Sequence, residues 1–283
     1  MHYRKQCFAV SVSVVIVVLC AAVCGAADPK IALMQAQAGD ARKYQPLLDY
    51  FAKKGVAAQF VTAPDYQRAA DMFAQGTVDA MFSGSGIAGT MIIKELAVPL
   101  VRPLKADGSS TYAAVVIAPK GAPSFTGRAE YFNDKRVIFT PLASAGEFYF
   151  HACGASRPKE IMKAASHDAA IDALNRGQAD VAIVKDRVWD KEKDKYPSLE
   201  KVGEDKGENP DMTLIVSRNM DPKSAQKIAD VLLGLKNDAT PEASAVKSSL
   251  QIQGYVKTTA ADFGHTFALL KKSGVTRDFA FKF

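Results

Sequence analysis

The segment Pro64–Gly86, PDYQRAADMFAQGTVDAMFSGSG, contains one complete unit of helix, turn, strand and loop. Apolar residues recur at helical spacing over Tyr66–Ala74, and Gly76 follows as a stop signal. Asp79–Phe82 is a short apolar run that predicts a buried strand, and it leads into the glycine-containing loop Ser83–Gly86. This order of elements predicts an α/β fold.

The same alternation continues on both sides of this segment. The first series has strands over Lys30–Ala36, Ala57–Thr62 and Ala97–Leu104 and a helix over Ala41–Lys54. The second series has strands over Tyr112–Ala118, Arg136–Thr140, Asp180–Val184 and Met212–Ser217 and helices over Gly146–Cys153 and Asp168–Asn175. The C-terminal part that follows is mostly helical, with helices over Pro222–Lys236 and Pro241–Leu250. Such alternation predicts two α/β units, each a mixed, mostly parallel sheet flanked by helices.

Two turn-rich breaks separate the units. Lys105–Tyr112, KADGSSTY, interrupts the first series, and Asp205–Asp211, DKGENPD, interrupts the second. We therefore expect two lobes joined by a hinge, in which residues 28–113 and 213–283 form lobe one and residues 114–212 form lobe two.

Residues 1–27 have the pattern of a secretory signal peptide. Met1–Lys5 is basic, Phe8–Val23 is almost wholly apolar, and small residues follow up to Ala27. The apolar stretch is short for a membrane span, and no second span follows. We therefore expect cleavage near Ala27 and export, so that the mature protein meets a membrane only through a partner. A lipoprotein acylated at Cys24 stays open as an alternative, although the residues before it make a poor lipobox.

Composition narrows the classes of function. Cys153 is the one cysteine that remains after the predicted cleavage, so no internal disulfide is expected. Its ordinary interpretation is a small buried hydrophobe, with a soft-metal or metalloid ligand as the alternative. The net charge of the whole chain is +6, and it becomes +4 once the two cations Arg4 and Lys5 are removed. The charges are interspersed, so a nucleic-acid partner is not expected, whereas a mildly positive field suits capture of small anions.

Catalytic and cofactor motifs are scarce in the sequence. It has no G-x-S-x-G with a plausible triad order, no H-E-x-x-H and no His/Cys cluster with metal spacing. GSGIAG, residues 84–89, has the spacing of a dinucleotide fingerprint, but no acidic residue follows at the required distance, because Asp107 is too late and lies in a turn. We therefore expect no enzyme, no cofactor and no metal, and a secreted hydrolase remains the enzymatic alternative.

The candidate binding residues lie on loops that follow the predicted strands, because ligands of open α/β sheets bind outside the carboxyl ends of the strands. These loops hold Ser83–Gly86, with Ser85 among them, Tyr112, the turn Ser144–Gly146 and the residues after Val184. The turn lies within TPLASAGEFYF, residues 140–150, at the start of a predicted helix, whose unpaired N–H groups favour an oxyanion. An ordinary strand-to-helix turn with Ser144 as N-cap is the alternative.

Five stretches share their order and separation with one known family. They are YQPLLDYFAKKG (44–55), PDYQRAADMFAQGTVDAMFSGSG (64–86), GSSTYAAVVIAPKGAPSFTG (108–127), PLASAGEFYF (141–150) and SHDAAIDALNRGQADVAIVKD (166–186). Together they resemble the periplasmic substrate-binding proteins of phosphonate, phosphite and phosphate ABC transporters, over roughly residues 30–235. The resemblance implies a periplasmic protein with a type II periplasmic binding protein-like fold, whose lobes close around a small oxyanion, and an ABC permease as partner.

The resemblance also implies roles for individual residues. Tyr66 and Tyr112 would donate hydroxyl groups to the oxyanion, and His167 would donate a further hydrogen bond. The turn residues Ser144, Ala145 and Gly146 would supply N–H groups and the hydroxyl of Ser144. Asp186 is nearest to the acidic residue that holds an amino group of the ligand in phosphonate binders.

One departure from the family pattern concerns the turn. The family offers Ser-Thr-Ser before the glycine, whereas this chain has Ala143, Ser144 and Ala145, so two hydroxyl donors are missing. A neutral hydrogen bond contributes about 1 kcal/mol, and more when one partner is an ion. We therefore expect a different or smaller oxyanion. The family also has sensory members that signal to a membrane histidine kinase, so a sensor of an oxyanion or metalloid stays open as the alternative to transport.

Overall fold

The computed structural model describes residues 28–34, 40–142 and 145–283. The strands are β1 (Lys30–Met34), β2 (Gln59–Ala63), β3 (Ala80–Ser83), β4 (Ala97–Lys105), β5 (Thr111–Tyr112), β6 (Ala114–Pro119), β7 (Arg136–Phe139), β8 (Glu160–Lys163), β9 (Val181–Lys185), β10 (Leu199–Glu204), β11 (Asn209–Pro210), β12 (Thr213–Ser217) and β13 (Ile252–Lys257). The α-helices are α1 (Gln45–Lys53), α2 (Tyr66–Ala74), α3 (Ser85–Ile93), α4 (Ala145–Ala152), α5 (His167–Asn175), α6 (Asp186–Glu192), α7 (Pro222–Gly234), α8 (Pro241–Leu250) and α9 (Gly264–Lys272). Residues 1–27, the predicted signal peptide, lie outside the described part of the chain.

The sheet of lobe one has the strand order β13-β4-β12-β3-β1-β2. β1 pairs in parallel with β2 and β3, whereas β12 runs antiparallel to β3 and β4, and β13 runs antiparallel to β4. Side chains of a strand alternate between its two faces. Ile31 and Leu33 therefore pack with α1, α7 and α8, while Ala32 between them packs with α2, α3 and α9 on the opposite face. Both faces are covered, which explains why β1 and β3 read as continuous apolar runs.

The sheet of lobe two has the strand order β10-β6-β9-β7-β8. β7 pairs in parallel with β8 and β9, and β6 runs antiparallel between β9 and β10. One face packs on α4, through Tyr149 and Phe150, and the other packs on α5, through Ile171 and Leu174. The lobe thus has a hydrophobic core on each side of its own sheet.

Two short strands connect the lobes. β5 and β11 form an antiparallel pair in which Tyr112 lies opposite Asn209. Next to this pair, the backbone N–H of Asp211 donates to the carbonyl oxygen of Ser110 at 3.1 Å. The segment that leaves lobe one through β5 and the segment that returns through β11 therefore run side by side, and Asp211, just after β11, contacts Ser110, just before β5.

The C-terminal helix α9 contacts both lobes. It packs against α3 of lobe one and α4 of lobe two. Leu270 belongs to a core cluster of lobe one, whereas Leu269 belongs to a cluster of lobe two. The hydroxyl of Thr266 also donates to Asn209 Oδ1, in β11, at 2.7 Å. The lobes are thus joined by α9 as well as by the paired strands.

The predicted two-lobe α/β fold is confirmed, and some of its details differ. Helices α2 and α8 have the predicted bounds, because local signals fix them: Asp65 and Thr240 cap their first turns. The sheets are mixed as expected, but among the described strands antiparallel pairs are at least as frequent as parallel ones, because β6, β12 and β13 run against their neighbours. The residue boundaries of the lobes stay a prediction.

Three elements correct the sequence-based expectation. The helix expected over Ala41–Lys54 is a 3-10 helix over Asp40–Tyr44 followed by α1, whose first turn contains Pro46. The strand expected over Tyr112–Ala118 divides into β5 and β6, which belong to different sheets. The C-terminal part contains β13 between its helices. Among the described residues, no helix is long and apolar enough to cross a membrane.

Candidate functional site

Ser85 and Tyr112, two of the predicted binding residues, contact each other. Ser85 is the first residue of α3, and Tyr112 lies in β5 between the lobes. Their hydroxyl oxygens are 2.5 Å apart, and both side chains are almost fully buried. The structure therefore brings these two residues together as a hydrogen-bonded pair at the junction of the lobes.

A buried cluster of charged side chains lies beside this pair. Lys185, the last residue of β9, has its Nζ 4.3 Å from the centre of the Tyr112 ring. The same Nζ donates to Asp211 Oδ1 at 2.8 Å, and Arg187 Nη2 lies 2.6 Å from Asp211 Oδ2. Lys185 and Asp211 are 4% and 1% exposed. Because one carboxylate faces two cations, the cluster carries excess positive charge.

The pKa values in the cluster follow from burial and from the neighbouring charges. Burial disfavours the ionised form of Asp211, but Lys185 and Arg187 outweigh this effect and lower its pKa to about 2. Burial lowers the pKa of Lys185, and Asp211 opposes that change. The carboxylate is therefore ionised at neutral pH, and it neutralises one of the two cations beside it.

His167, the first residue of α5, lies within reach of the same charges. Ser166 caps the helix by accepting a hydrogen bond from Ala169 N at 3.1 Å. Burial, together with the charges of Lys185 and Arg187, lowers the pKa of His167 to about 3. Its Nδ1 is buried and has no hydrogen-bond partner among the described residues. The ring is thus neutral at physiological pH, with one nitrogen available for a ligand.

Two further hydroxyl groups in lobe one are buried without a partner in the described part of the chain. Ser83 ends β3 and Thr213 begins β12, and the two residues lie opposite each other in the sheet. Ser83 Oγ and Thr213 Oγ1 have no hydrogen-bond partner there. Buried polar groups are ordinarily satisfied, so these hydroxyls indicate a place for water or a polar ligand.

Ser144, the predicted centre of the anion-binding turn, lies outside the described residues. The helix it was expected to precede is present as α4, which begins at Ala145. Gly146 is buried in its first turn. The structure thus shows a strand, β7, before the turn and a helix, α4, after it, and the role of Ser144 stays a prediction.

A carboxylate occupies the first turn of α4. Glu147 is 1% exposed, accepts a hydrogen bond from Leu142 N at 2.8 Å and pairs with Lys163 Nζ at 2.7 Å. A negative charge is favourable near the N-terminus of a helix. It also takes up part of the positive potential that an oxyanion would use there, so Lys163 matters for the charge balance of this turn.

Tyr66, the first residue of α2, is half-buried in a wall shared by two adjoining cavities. One cavity has a volume of about 430 Å³, and its walls include Lys43, Lys105 and Arg187. The other has a volume of about 540 Å³ and extends to Thr140, close to the turn before α4. Tyr66 therefore lies between the turn and a group of cations contributed by both lobes.

Asp186 holds the junction of the lobes together through the backbone. Its Oδ2 accepts a hydrogen bond from Ala113 N at 3.0 Å, and its Oδ1 accepts one from Arg187 N at 2.7 Å. One carboxylate oxygen thus holds the connection between β5 and β6, and the other holds the first turn of α6. Its predicted role toward an amino group of the ligand stays a prediction.

Sequence analysis missed Lys185, Arg187 and Asp211. The first two flank Asp186 in the stretch VKDR, residues 184–187, which did carry the signal of two cations directly after an apolar strand. Asp211 lies in the segment DKGENPD, which read only as a turn-rich break. The pairing between them depends on the chain crossing and has no local signature.

Cys153 lies at the end of α4, half-buried beside the core of lobe two. Burial raises the pKa of its thiol to about 11, so the thiol is protonated at neutral pH and is a poor soft-metal ligand. Among the described residues, no group of three or more His, Cys, Asp or Glu side chains could hold a metal ion.

The sequence pattern of one protein family matches residues 31–263 of the chain, and its description is ABC transporter, phosphonate, periplasmic substrate-binding protein. No curated protein matches the chain.

Solved structures with the same fold share little sequence with this chain. PhnD1 from Prochlorococcus marinus, in complex with methylphosphonate, has a TM-score of 0.69 and 15% identity, and the match covers 87% of this chain and 98% of that chain. XAC2383 from Xanthomonas citri, bound to ATP, has a TM-score of 0.69 and 17% identity and covers 87% of this chain and 95% of that one. A binding protein component of an ABC phosphonate transporter from Pseudomonas aeruginosa has a TM-score of 0.67 and 17% identity, with 89% of each chain covered. At such identities, the similarity establishes the fold.

Proposed function

Because the chain belongs to the family of periplasmic substrate-binding proteins of phosphonate ABC transporters, we propose that it binds a small phosphorus oxyanion between its lobes and delivers it to an ABC permease. The oxyanion is of the phosphonate, phosphite or phosphate type. The ligand leaves the protein chemically unchanged, so the function includes no catalytic step.

The observation that carries the proposal is the convergence of polar hydrogens and positive charge between the two sheets. Lys185 and Arg187 share the single carboxylate of Asp211, and the Ser85–Tyr112 pair lies next to Lys185. In a site with little water, such groups stabilise an anion more strongly than they would at an exposed surface.

Each of the predicted site residues has its own role in binding the oxyanion in this proposal. Tyr66 and the N–H groups of Ser144, Ala145 and Gly146 hold the oxyanion from the side of the turn. Neutral His167 donates a hydrogen bond from its unpartnered nitrogen. Ser85 acts through Tyr112, whose hydroxyl it orients.

The proposal also includes the remaining expectations from sequence. Residues 1–27 direct export to the periplasm and are removed. Residues 28–113 and 213–283 form one lobe, and residues 114–212 form the other, with the ligand between them. The strand pair β5–β11 at the crossing supports these limits.

The test is binding by the purified protein, measured as a thermal shift and by calorimetry, with methylphosphonate, phosphite, phosphate and sulfate. A ligand that binds only the folded state contributes about 2.7 kcal/mol of stability at a concentration of 100 times its Kd. For a chain of this size, we expect the Tm to rise by roughly 5 to 10 °C. If none of the phosphorus oxyanions raises the Tm or gives heat of binding, the proposal is wrong.

A pair of tyrosine variants tests the site. Tyr66→Phe removes one hydroxyl and should weaken the binding of the best ligand about tenfold or more, because a hydrogen bond to a charged group contributes about 1.5 to 3 kcal/mol. Tyr196→Phe makes the same change at a residue that lines neither of the two cavities beside Tyr66 and should leave the Kd unchanged. Equal affinities of the two variants would remove Tyr66 from the site.

A further inference from the structure

The cavity beside Tyr66 combines cations from both lobes. Its volume is about 430 Å³, and its walls include Lys43 and Lys105 from lobe one and Arg187 from lobe two. Of the described residues that line it, none is acidic. A group that extends from an oxyanion held at Tyr66 would enter a space with positive walls.

Lys105 is a half-buried cation at the end of β4. Its Nζ makes no hydrogen bond or ion pair with any described residue. Burial lowers the pKa of Lys105; Asp211 raises it and the charge of Arg187 lowers it further. A cation under this desolvation is stabilised when a negative group of a ligand arrives beside it.

Arg187 reaches the same cavity from α6. Its Nη2 is paired with Asp211, but its Nε is buried and has no hydrogen-bond partner among the described residues. Arg187 and Lys105 lie close enough for the charge of one to affect the pKa of the other. Both residues line the same cavity and bring positive charge to it.

Two carboxylates that contact Arg187 are already occupied. Asp186 accepts hydrogen bonds from Ala113 N and Arg187 N with its two carboxylate oxygens. Asp211 is held between Lys185 and Arg187. Asp107 and Asp168 line a neighbouring cavity that also includes Lys105 and Arg187. An ammonium group inside the 430 Å³ cavity itself would meet cations and no carboxylate among the described residues that line it.

We propose that the ligand carries a second negative charge: it is a phosphonocarboxylate, whose phosphonate group binds at Tyr66 and whose carboxylate lies between Lys105 and Arg187. This inference rests on the function proposed above and specifies its ligand. It accounts for the missing hydroxyls of the turn, because part of the binding free energy comes from the second anionic group. Arg187 is suited to that group, since its guanidinium stays charged at every physiological pH and is more weakly hydrated than an ammonium group.

The test compares three ligands of similar size by isothermal titration calorimetry: phosphonoacetate, methylphosphonate and 2-aminoethylphosphonate. We expect the wild-type protein to bind phosphonoacetate about tenfold or more tightly than methylphosphonate, and 2-aminoethylphosphonate more weakly than either. Lys105→Gln should weaken the binding of phosphonoacetate about tenfold and change that of methylphosphonate less than about twofold. Lys120→Gln removes the same charge from an exposed loop that does not line the cavity and should change neither Kd.

The outcomes separate this inference from the function on which it rests. If the wild-type protein binds methylphosphonate or 2-aminoethylphosphonate as tightly as phosphonoacetate, the second charge is refuted and the proposed function stands. If Lys105→Gln weakens the binding of phosphonoacetate and methylphosphonate equally, the position of the carboxylate is refuted. If no phosphorus ligand binds, the proposed function and this inference fall together.

Discussion

Asp211→Asn tests whether the charge cluster at the junction of the lobes is held together by its one carboxylate. Asp211 is 1% exposed and lies 2.8 Å from Lys185 Nζ and 2.6 Å from Arg187 Nη2. The amide has nearly the same shape but no charge. The variant therefore leaves a buried ammonium and a half-buried guanidinium without their counterion, while the packing is retained.

The expected loss of stability is large for a single atom replacement. Removing one partner of a buried ion pair costs about 3 to 5 kcal/mol, because the other charge remains buried and unpaired. For a chain of this size, the Tm should fall by roughly 10 °C. The depressed pKa of Asp211, about 2, means that its contribution is complete above the unfolded pKa and is lost as the pH falls through about 2. The variant should therefore show its full defect at pH 7.

The assay is urea unfolding at pH 7, followed by circular dichroism, together with a thermal scan with and without 10 mM phosphate. Glu130→Gln is the matched control, because Glu130 pairs with Arg128 at the surface, where their side chains are 62% and 75% exposed. Such a pair contributes about 0 to 1 kcal/mol. Since Arg187 lines the cavity, an added oxyanion should raise the Tm of Asp211→Asn more than that of the wild-type protein. If the two variants lose similar free energies of unfolding, the carboxylate does not hold the cluster together.

Two further substitutions examine the acid sensitivity of the fold and the contact between the lobes. His167 has a pKa of about 3 in the folded chain and an ordinary value of 6.5 when unfolded, so the unfolded state takes up a proton first and the free energy of unfolding falls as the pH drops from 6.5 toward 3. Between pH 8 and pH 5, the free energy of unfolding of His167→Gln, measured by urea titration, should therefore fall by about 1 to 2 kcal/mol less than that of the wild-type protein. If the two proteins have the same pH profile, the buried ring is not neutral. A Cβ on Gly86 would lie 2.2 Å from the Phe148 ring, so Gly86→Ala should lower the free energy of unfolding by about 1 to 3 kcal/mol, whereas Gly234→Ala, where a Cβ meets nothing within 4 Å, should stabilise slightly. Equal stability of these two alanine variants would show that α3 and α4 can separate without cost.

Sequence patterns predicted elements whose ends are fixed locally. α2 and α8 begin where a capping side chain precedes a helical run, so their bounds were readable without any tertiary contact. β13 was missed because its six residues follow a helix directly, and it becomes a strand by pairing with β4, which lies far away in the chain. The antiparallel pairing of β12 has the same origin, since nothing in its own residues specifies the direction of its neighbours.

Sequence analysis named hydroxyl and imidazole groups for the candidate site, whose role in binding stays a prediction, and it did not name the charged side chains. Tyr112 and His167 were proposed because they stand at the ends of predicted elements. Asp211 acquires its importance only when the returning segment brings it to Lys185 at the end of β9. The carboxylate of Asp186 was noticed at once, but its two backbone partners become visible only in three dimensions.

The contact of α9 with both lobes has a thermodynamic consequence. Two strands alone would let the lobes twist and tilt in several directions, whereas a third attachment restricts these motions. The protein without ligand then has fewer arrangements of its lobes, so less conformational entropy is lost when a ligand binds. Since ordering costs are subtracted from every favourable contact, lobes that have already lost part of their relative freedom can retain a small ion with fewer direct contacts than freely moving lobes would require.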